Sequence, residues 1–198
     1  TSITKDDTKD TKKVRSCIEC YSCLSTCPVV NIATEEFGGP YLMRYIDKFE
    51  TDPRDNFDRL KEALDEGLYK CTSCGKCLAV CPKNINTFGD AIEKMRAIAV
   101  ANGSGPLPEH VAFKENILET GRSIKTDKPS FIEEAENYTG SKIAFFTGCM
   151  VDYKFPEIGH KLVKILKENG VDIDVPEGQV CCGSPLLRTG QTDIVQDD

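Results

Sequence analysis

The sequence predicts an α+β chain in two parts. A mainly α-helical domain comes first, and an incomplete α/β domain of βαβ order follows it. Three observations carry this prediction. One cysteine pattern occurs twice, over residues 17–27 and again over 71–81. Between and after these runs, apolar residues recur at helical spacing. From Ser141 the pattern changes to a short apolar run, an amphipathic stretch and a second short apolar run. That is the order of a strand, a crossover helix and a parallel strand.

Composition narrows the function classes. The 198 residues suffice for one or two domains with real cores. A net charge of −7, with 25 basic against 32 acidic residues, argues against nucleic acid or an anionic membrane as partner. No apolar run approaches spanning length and no secretory pattern is present, so a cytoplasmic protein is expected. Eleven cysteines is an odd count. Their C-x2-C grouping suits thiolates on metal in a reducing compartment, and not a disulfide framework.

Residues 1–13 are Thr, Lys and Asp with almost nothing to bury, and read as a flexible arm. The first domain is expected over 14–122. Its first run is Cys17-Ile-Glu-Cys20-Tyr-Ser-Cys23-Leu-Ser-Thr-Cys27-Pro28, and its second is Cys71-Thr-Ser-Cys74-Gly-Lys-Cys77-Leu-Ala-Val-Cys81-Pro82. Both read C-x2-C-x2-C-x3-C-P, the run that ligates a cubane 4Fe–4S cluster in bacterial-type ferredoxins. In two-cluster ferredoxins the fourth cysteine of each run crosses to the other cluster. The expected ligand sets are therefore Cys17, Cys20, Cys23 and Cys81 for one cluster, and Cys71, Cys74, Cys77 and Cys27 for the other. A zinc finger is a poor alternative, because each run packs four cysteines into eleven residues with a trailing Pro and no His.

The linker between the runs turns at Gly38-Gly39-Pro40. A helix follows over 41–49, with Leu42, Tyr45, Ile46 and Phe49 in register. A second helix is expected over 54–67, started by Asp52-Pro53 and showing Phe57, Leu60, Leu64 and Leu68 on one face. After Pro82, a helix over 88–102 carries Ala91, Ile92, Met95, Ile98 and Ala99, and Gly103 ends it. A further helix runs over 108–119 to Gly121. Residues 123–140 are polar and turn-rich and read as a linker.

The second part, 141–198, opens with a strand over 142–147. Gly148-Cys149 stands at its carboxyl end. A helix over 155–169 presents Ile158, Leu162, Ile165 and Leu166, Gly170 caps it, and a strand over 171–175 leads to Cys181-Cys182-Gly183. Sites in open α/β sheets gather at the carboxyl ends of strands, so Cys149, Cys181 and Cys182 are expected to converge. His110 and His160 read as solvated or interface histidines, and Lys76 and Lys83 as exposed lysines near the clusters. Neither a G-x-G-x-x-G nor a P-loop occurs, so a flavin, if needed, belongs to a partner.

These residues resemble a known family. Ile143-Ala-Phe-Phe-Thr-Gly-Cys149 and Val180-Cys-Cys-Gly-Ser-Pro185 are similar to the cysteine-rich CCG domain of heterodisulfide reductases, which also occurs in thiol:fumarate reductase and in glycolate and lactate oxidase complexes. Gly39-Pro40, Asp52-Pro53-Arg54-Asp55 and Leu68-Tyr69-Lys70-Cys71 resemble the iron–sulfur subunit of succinate dehydrogenase and fumarate reductase. The second run departs from that pattern, since C-x2-C-x2-C suits a cubane better than a three-iron cluster. A two-cluster ferredoxin-like domain fused to a CCG domain is the arrangement of the electron-transfer subunit of methanogen thiol:fumarate reductase.

The resemblance implies that Cys149, Cys181 and Cys182 are metal ligands of a noncubane iron–sulfur cluster, or of zinc in some copies. No second C-x2-C follows in these 198 residues, so the rest of a CCG domain, in a longer protein or on another chain, would have to complete that site. The expected function is an electron-transfer iron–sulfur subunit of an anaerobic thiol/disulfide oxidoreductase complex, partnered by a flavoprotein or other catalytic subunit. The alternative is the iron–sulfur wiring subunit of a glycolate- or lactate-oxidase-type flavoprotein dehydrogenase, without thiol chemistry.

Overall fold

A computed structural model describes residues 3–4, 8–127, 129–135 and 141–195. It divides into two compact units: Thr1–Leu107 together with Pro185–Asp198, and Pro108–Ser184. The expected arm (1–13) and linker (123–140) fall partly outside the described residues.

In the first unit, helix α1 (Lys9–Arg15) begins inside the segment read as an arm and buries Thr11 and Val14. Helix α2 (Gly39–Glu50) follows the Gly-Gly-Pro turn, with Pro40 in its first turn, where the missing N–H costs nothing. It buries Met43 and Ile46 but also Arg44 and Asp47. Tyr45, expected on the core face, instead lies between Tyr41 and Phe49 in a row of ring contacts.

Helix α3 (Arg59–Asp65) is shorter than expected. Its N-cap is Asp58, whose carboxylate accepts from the Lys61 N–H at 2.9 Å. The preceding turn is held by the Arg59–Asp55 ion pair and leaves Phe57 78% exposed. A cap placed five residues beyond Pro53 took the start of the helix, and Phe57 left the core with it.

Gly67 stands at φ +81, where an added Cβ would lie 2.1 Å from the Glu36 carbonyl oxygen. Only glycine admits that approach, which delivers Leu68 to the core and Cys71 to its loop. After the second run a π-helical turn, Thr87–Glu93, runs directly into α4 (Lys94–Ala101). The Asn86 side chain caps it by accepting from the Gly89 N–H at 3.3 Å. Of the predicted face, Ala91, Ile92, Met95 and Ala99 are fully buried, and Ile98 packs against the core partly buried. The core joins Phe37, Met43, Ile46, Leu60, Leu68, Ile92 and Met95, with Cys27 among them. Each large apolar side chain so buried contributes about 1.5–3 kcal/mol.

In the second unit, α5 (Pro108–Thr120) ends at Gly121, at φ +71. A short helix, Phe131–Glu134, starts with a capping box between Ser130 and Glu133. Helix α6 (Pro156–Glu168) turns Gly159 and Val163 inward, while Ile158 and Ile165 of the expected apolar face remain exposed. The cause is Phe131, whose ring sits where a side chain at 159 would be. Gly159→Ala would put a Cβ 2.7 Å from two ring carbons. Overpacking of this kind costs about 1–3 kcal/mol. A lower thermal midpoint for this unit, read by circular dichroism, is the expected result, and an unchanged midpoint would refute the contact.

The βαβ expectation is met only in outline, and the fold is mostly helical. Residues 142–147 and 171–175 form no strand, and they share a single parallel bridge, Ala144 to Asp174. It is made by Phe145 N–H to the Asp174 oxygen at 2.8 Å and Asp174 N–H to the Ile143 oxygen at 2.7 Å. Among the described residues no longer ladder forms. Parallel strands are stable when both faces and both edges are covered, and here Ile143 and Phe146 stay more than half exposed. A last helix, α7 (Ser184–Thr189), leads into the tail that packs with the first unit.

Candidate metal centres

The eight cysteines of the two runs wall two separate cavities. One is lined by Cys17, Cys20, Cys23 and Cys81, with Tyr41, Arg44 and Ile85. The other is lined by Cys27, Cys71, Cys74 and Cys77, with Phe37 and Phe88. Each run gives its first three cysteines to one cavity and its fourth to the other. All eleven cysteines are free thiols.

Both loops are built alike. Two and four residues after the first cysteine, the backbone takes positive φ: Glu19 and Tyr21 in the first run, Ser73 and Gly75 in the second. The left-handed turns point the N–H groups of Glu19 and Ser73 at the sulfurs of Cys17 and Cys71, each at 3.4 Å. A non-glycine residue held there costs roughly 1–2 kcal/mol, so three of these four positions are kept by what surrounds them. One-turn helices follow, Ser22–Ser25 and Lys76–Ala79, and place Cys23 and Cys77. Cys27 then caps the helix Pro28–Ile32. Cys81 instead enters a turn in which the Ile85 N–H reaches its sulfur at 3.4 Å.

Three of the thiols, Cys23, Cys71 and Cys77, resist ionisation. Burial, and then the neighbouring Cys71 sulfur, pushes the Cys77 thiol up to about 11. Burial also raises Cys71 and Cys23. At exposed Cys20 the Ser22 hydroxyl works the other way and lowers it. Crowded, buried thiols of this kind become stable thiolates when iron supplies the countercharge. Among the described residues no three His, Cys, Asp or Glu side chains meet around a single ion. A cubane does not require that, since each of its four thiolates binds a different iron. Four cysteines spread around each cavity therefore fit a 4Fe–4S group, and the N–H···S contacts suit its sulfur-rich surface.

Arginines complete the surroundings, and the sequence reading missed them. Arg96 is buried on α4. It donates from Nε and Nη2 to the Leu68 oxygen (3.1 and 2.8 Å), from Nη2 to the Cys71 oxygen (2.7 Å) and from Nη1 to the Arg188 oxygen (2.7 Å). Arg188, from α7, donates to the Ser73 oxygen at 3.0 Å and to Glu93 at 3.3 Å. The tail thus grips the second cysteine loop. Gly190 makes the approach possible, because a Cβ there would lie 2.3 Å from the Arg96 backbone.

The second unit holds the other three cysteines. Cys149 precedes a π-helical turn, Met150–Lys154, anchored by buried Asp152. Asp152 accepts from the Ile132 N–H at 3.0 Å and pairs with Arg122 at 2.9 Å. The Cys181 N–H donates to the Gly121 oxygen at 2.7 Å. Burial raises the Cys181 thiol, the Gly183 N–H opposes this, and the charges of Cys149 and Cys182 add to the rise. Cys149 is near enough to Cys181 to act on its thiol, and Cys182 is exposed. His160, read as solvated, pairs with Glu134 at 2.8 Å and lies edge-on to Phe131.

Known proteins share this order. Residues 13–85 match the family described as "4Fe-4S dicluster domain" and residues 143–197 the one described as "Cysteine-rich domain". A component of the fumarate reductase (CoM/CoB) of Methanothermobacter marburgensis is 55% identical over 195 residues, 98% of this chain and 40% of the relative. The chain is a homologue of this fumarate reductase subunit. A component of the dihydromethanophenazine:CoB–CoM heterodisulfide reductase of Methanosarcina acetivorans is 29% identical over 141 residues, 67% of this chain and 34% of that protein. A chain of the Mycobacterium smegmatis Sdh1 complex in the apo form has a similar structure, with a TM-score of 0.50 and 30% identity, covering 54% of this chain and 46% of that one. The chain therefore spans well under half the length of the curated relatives it matches, and those relatives are subunits of oxidoreductase complexes. Among the described residues no helix is long and apolar enough to cross a membrane.

Proposed function

We propose that this chain is the electron-transfer part of a cytoplasmic, anaerobic thiol/disulfide oxidoreductase complex of the heterodisulfide reductase or thiol:fumarate reductase type. Cys17, Cys20, Cys23 and Cys81 hold one 4Fe–4S cubane, and Cys27, Cys71, Cys74 and Cys77 hold the second. The observation that carries this reading is the exchange of the fourth cysteine between two runs that line two cavities. When bound, a cubane supplies one-electron storage on delocalised iron.

The protein's own part is to hold the thiolates and to direct Glu19, Ser73 and Ile85 N–H groups at sulfur. Phe37, Phe88 and Ile85 give the cavity walls apolar surface. Cys149, Cys181 and Cys182 form the third site, completed by the rest of a CCG domain, in an α/β unit whose βαβ core extends beyond the single bridge seen here. It binds a noncubane cluster or zinc. Reduction of a disulfide to two thiols consumes two electrons and two protons, so two single-electron deliveries through this chain serve one turnover. A flavoprotein or other catalytic subunit supplies or takes those electrons.

Iron and acid-labile sulfide analysis with EPR on anaerobically prepared protein tests the cluster assignment. About eight iron atoms are expected for two cubanes, and a content near zero or four would refute it. In the assembled complex, Cys181→Ser and Cys182→Ser are each expected to abolish disulfide reduction while leaving both cubane signals at wild-type intensity. Loss of the cubane signals in these variants would mean that the third site is not separate. Absence of thiol turnover in the wild-type complex would favour a wiring role in a glycolate- or lactate-oxidase-type dehydrogenase, and retained turnover in these variants would refute the role given to Cys181 and Cys182.

A further inference from the structure

Arg44 is 3% exposed, on the face of α2 that also buries Met43. Its Nη1 donates to the Val14 oxygen at 3.3 Å. Its Nε and Nη2 are buried with no hydrogen-bond partner. A guanidinium has five N–H donors, one on Nε and two on each terminal nitrogen, so three of them go unanswered. The group lies over the rings of Tyr41 and Tyr45, at 5.2 and 5.5 Å, and it lines the cavity walled by Cys17, Cys20, Cys23 and Cys81.

A buried cation with unpaired donors is among the most costly features a core can carry. Aromatic faces offset a part of that cost, but a ring offers no lone pair to three N–H groups. What removes the remainder is an anion in the cavity. The second cavity differs in that no arginine lines it; each wall carries one lysine, Lys83 in the first and Lys76 in the second. Arg96, near the second loop, is already bound to three carbonyl oxygens.

We propose that Arg44 is a positioning residue that sets the reduction potential of the first centre by donating its unpaired N–H groups to the sulfur of the group held by Cys17, Cys20, Cys23 and Cys81. This rests on the reading that the cavity holds a cubane. Each electron received adds one negative charge to that group. A guanidinium and its N–H···S bonds stabilise the more negative state, so Arg44 raises the potential of this centre and not of the other.

The test is an EPR-monitored redox titration of the full-length protein with its partner subunits, using dithionite as reductant. The two signals are assigned with Cys20→Ser and Cys74→Ser. For Arg44→Gln the first signal is expected to become at least about tenfold harder to reduce at fixed potential, about 59 mV for a one-electron couple, with the second signal unmoved. Arg44→Lys, which keeps the charge, is expected to recover at least half of that shift. If Arg44→Gln loses the first signal altogether, Arg44→Lys should restore it.

An unmoved first signal, equal movement of both signals, or no recovery with lysine would overturn the proposal. So would loss of helix content in both variants, which would assign Arg44 to the core alone. Absence of iron from the wild-type protein would instead overturn the cubane reading on which it rests.

Discussion

Cys27→Ser is expected to destroy or convert the centre of the second run, 44 positions away in sequence from Cys71, and to leave the centre of its own run intact. Cys27 is 8% exposed and sits in the main core beside Phe37 and Met43. It faces the cavity of Cys71, Cys74 and Cys77, while Cys17, Cys20 and Cys23 face the other one. A serine oxygen is a poor substitute for a thiolate on iron, and burial opposes its ionisation. The expected reading is loss of one EPR signal, with iron falling from about eight towards about four atoms. Cys81→Ser should give the mirror result, costing the signal of the first run. If each substitution damages the centre of its own run, the ligand exchange is wrong. If both signals vanish in either variant, the two centres are not independent in assembly.

The second large effect is expected at Arg96. Substitution by Met leaves the carbonyl oxygens of Leu68, Cys71 and Arg188 without their donor in a buried setting. Each unanswered buried group costs about 1–3 kcal/mol. Two of the three carbonyls flank the entry to the second cysteine loop, and the third belongs to the tail. The second-run EPR signal should therefore bleach first on heating, and the segment after Pro185 should become the earliest site of proteolysis. Arg96→Lys keeps the charge but not the planar fork and can serve fewer carbonyls at once, so it should lie between the two. A wild-type bleaching rate in Arg96→Met would show that the network does not hold the loop.

Much of the local chemistry was readable in the chain itself. The doubled C-x2-C-x2-C-x3-C-P spacing states a loop geometry, because a three-residue repeat followed by a four-residue step admits few backbone paths. The positive φ values at matching positions of both loops are that path. The buried stripe Ala91, Ile92, Met95 and Ala99 was equally plain, since those residues keep helical period without interruption. Glycines 103, 121 and 170 ended their helices where expected, at φ between +71 and +73.

Other features depended on the packed structure. Periodicity alone cannot say which of two adjoining faces of α2 or α6 meets the core. Arg44 and Gly159 decided it, one by lining a cavity and the other by making room for Phe131. The segments 142–147 and 171–175 had strand-like sequences but made one bridge, because a parallel pair gains stability from neighbours that a local pattern does not contain. Arg96 and Arg188 lie 92 positions apart and answer backbone oxygens, which have no signature in sequence. Spacing therefore determined the cysteine loops and the helix punctuation, as both arise from dihedral preferences a few residues long. Burial of charge and the return of the tail to the second loop were decided only when distant segments met and their unpaired polar groups had to be satisfied.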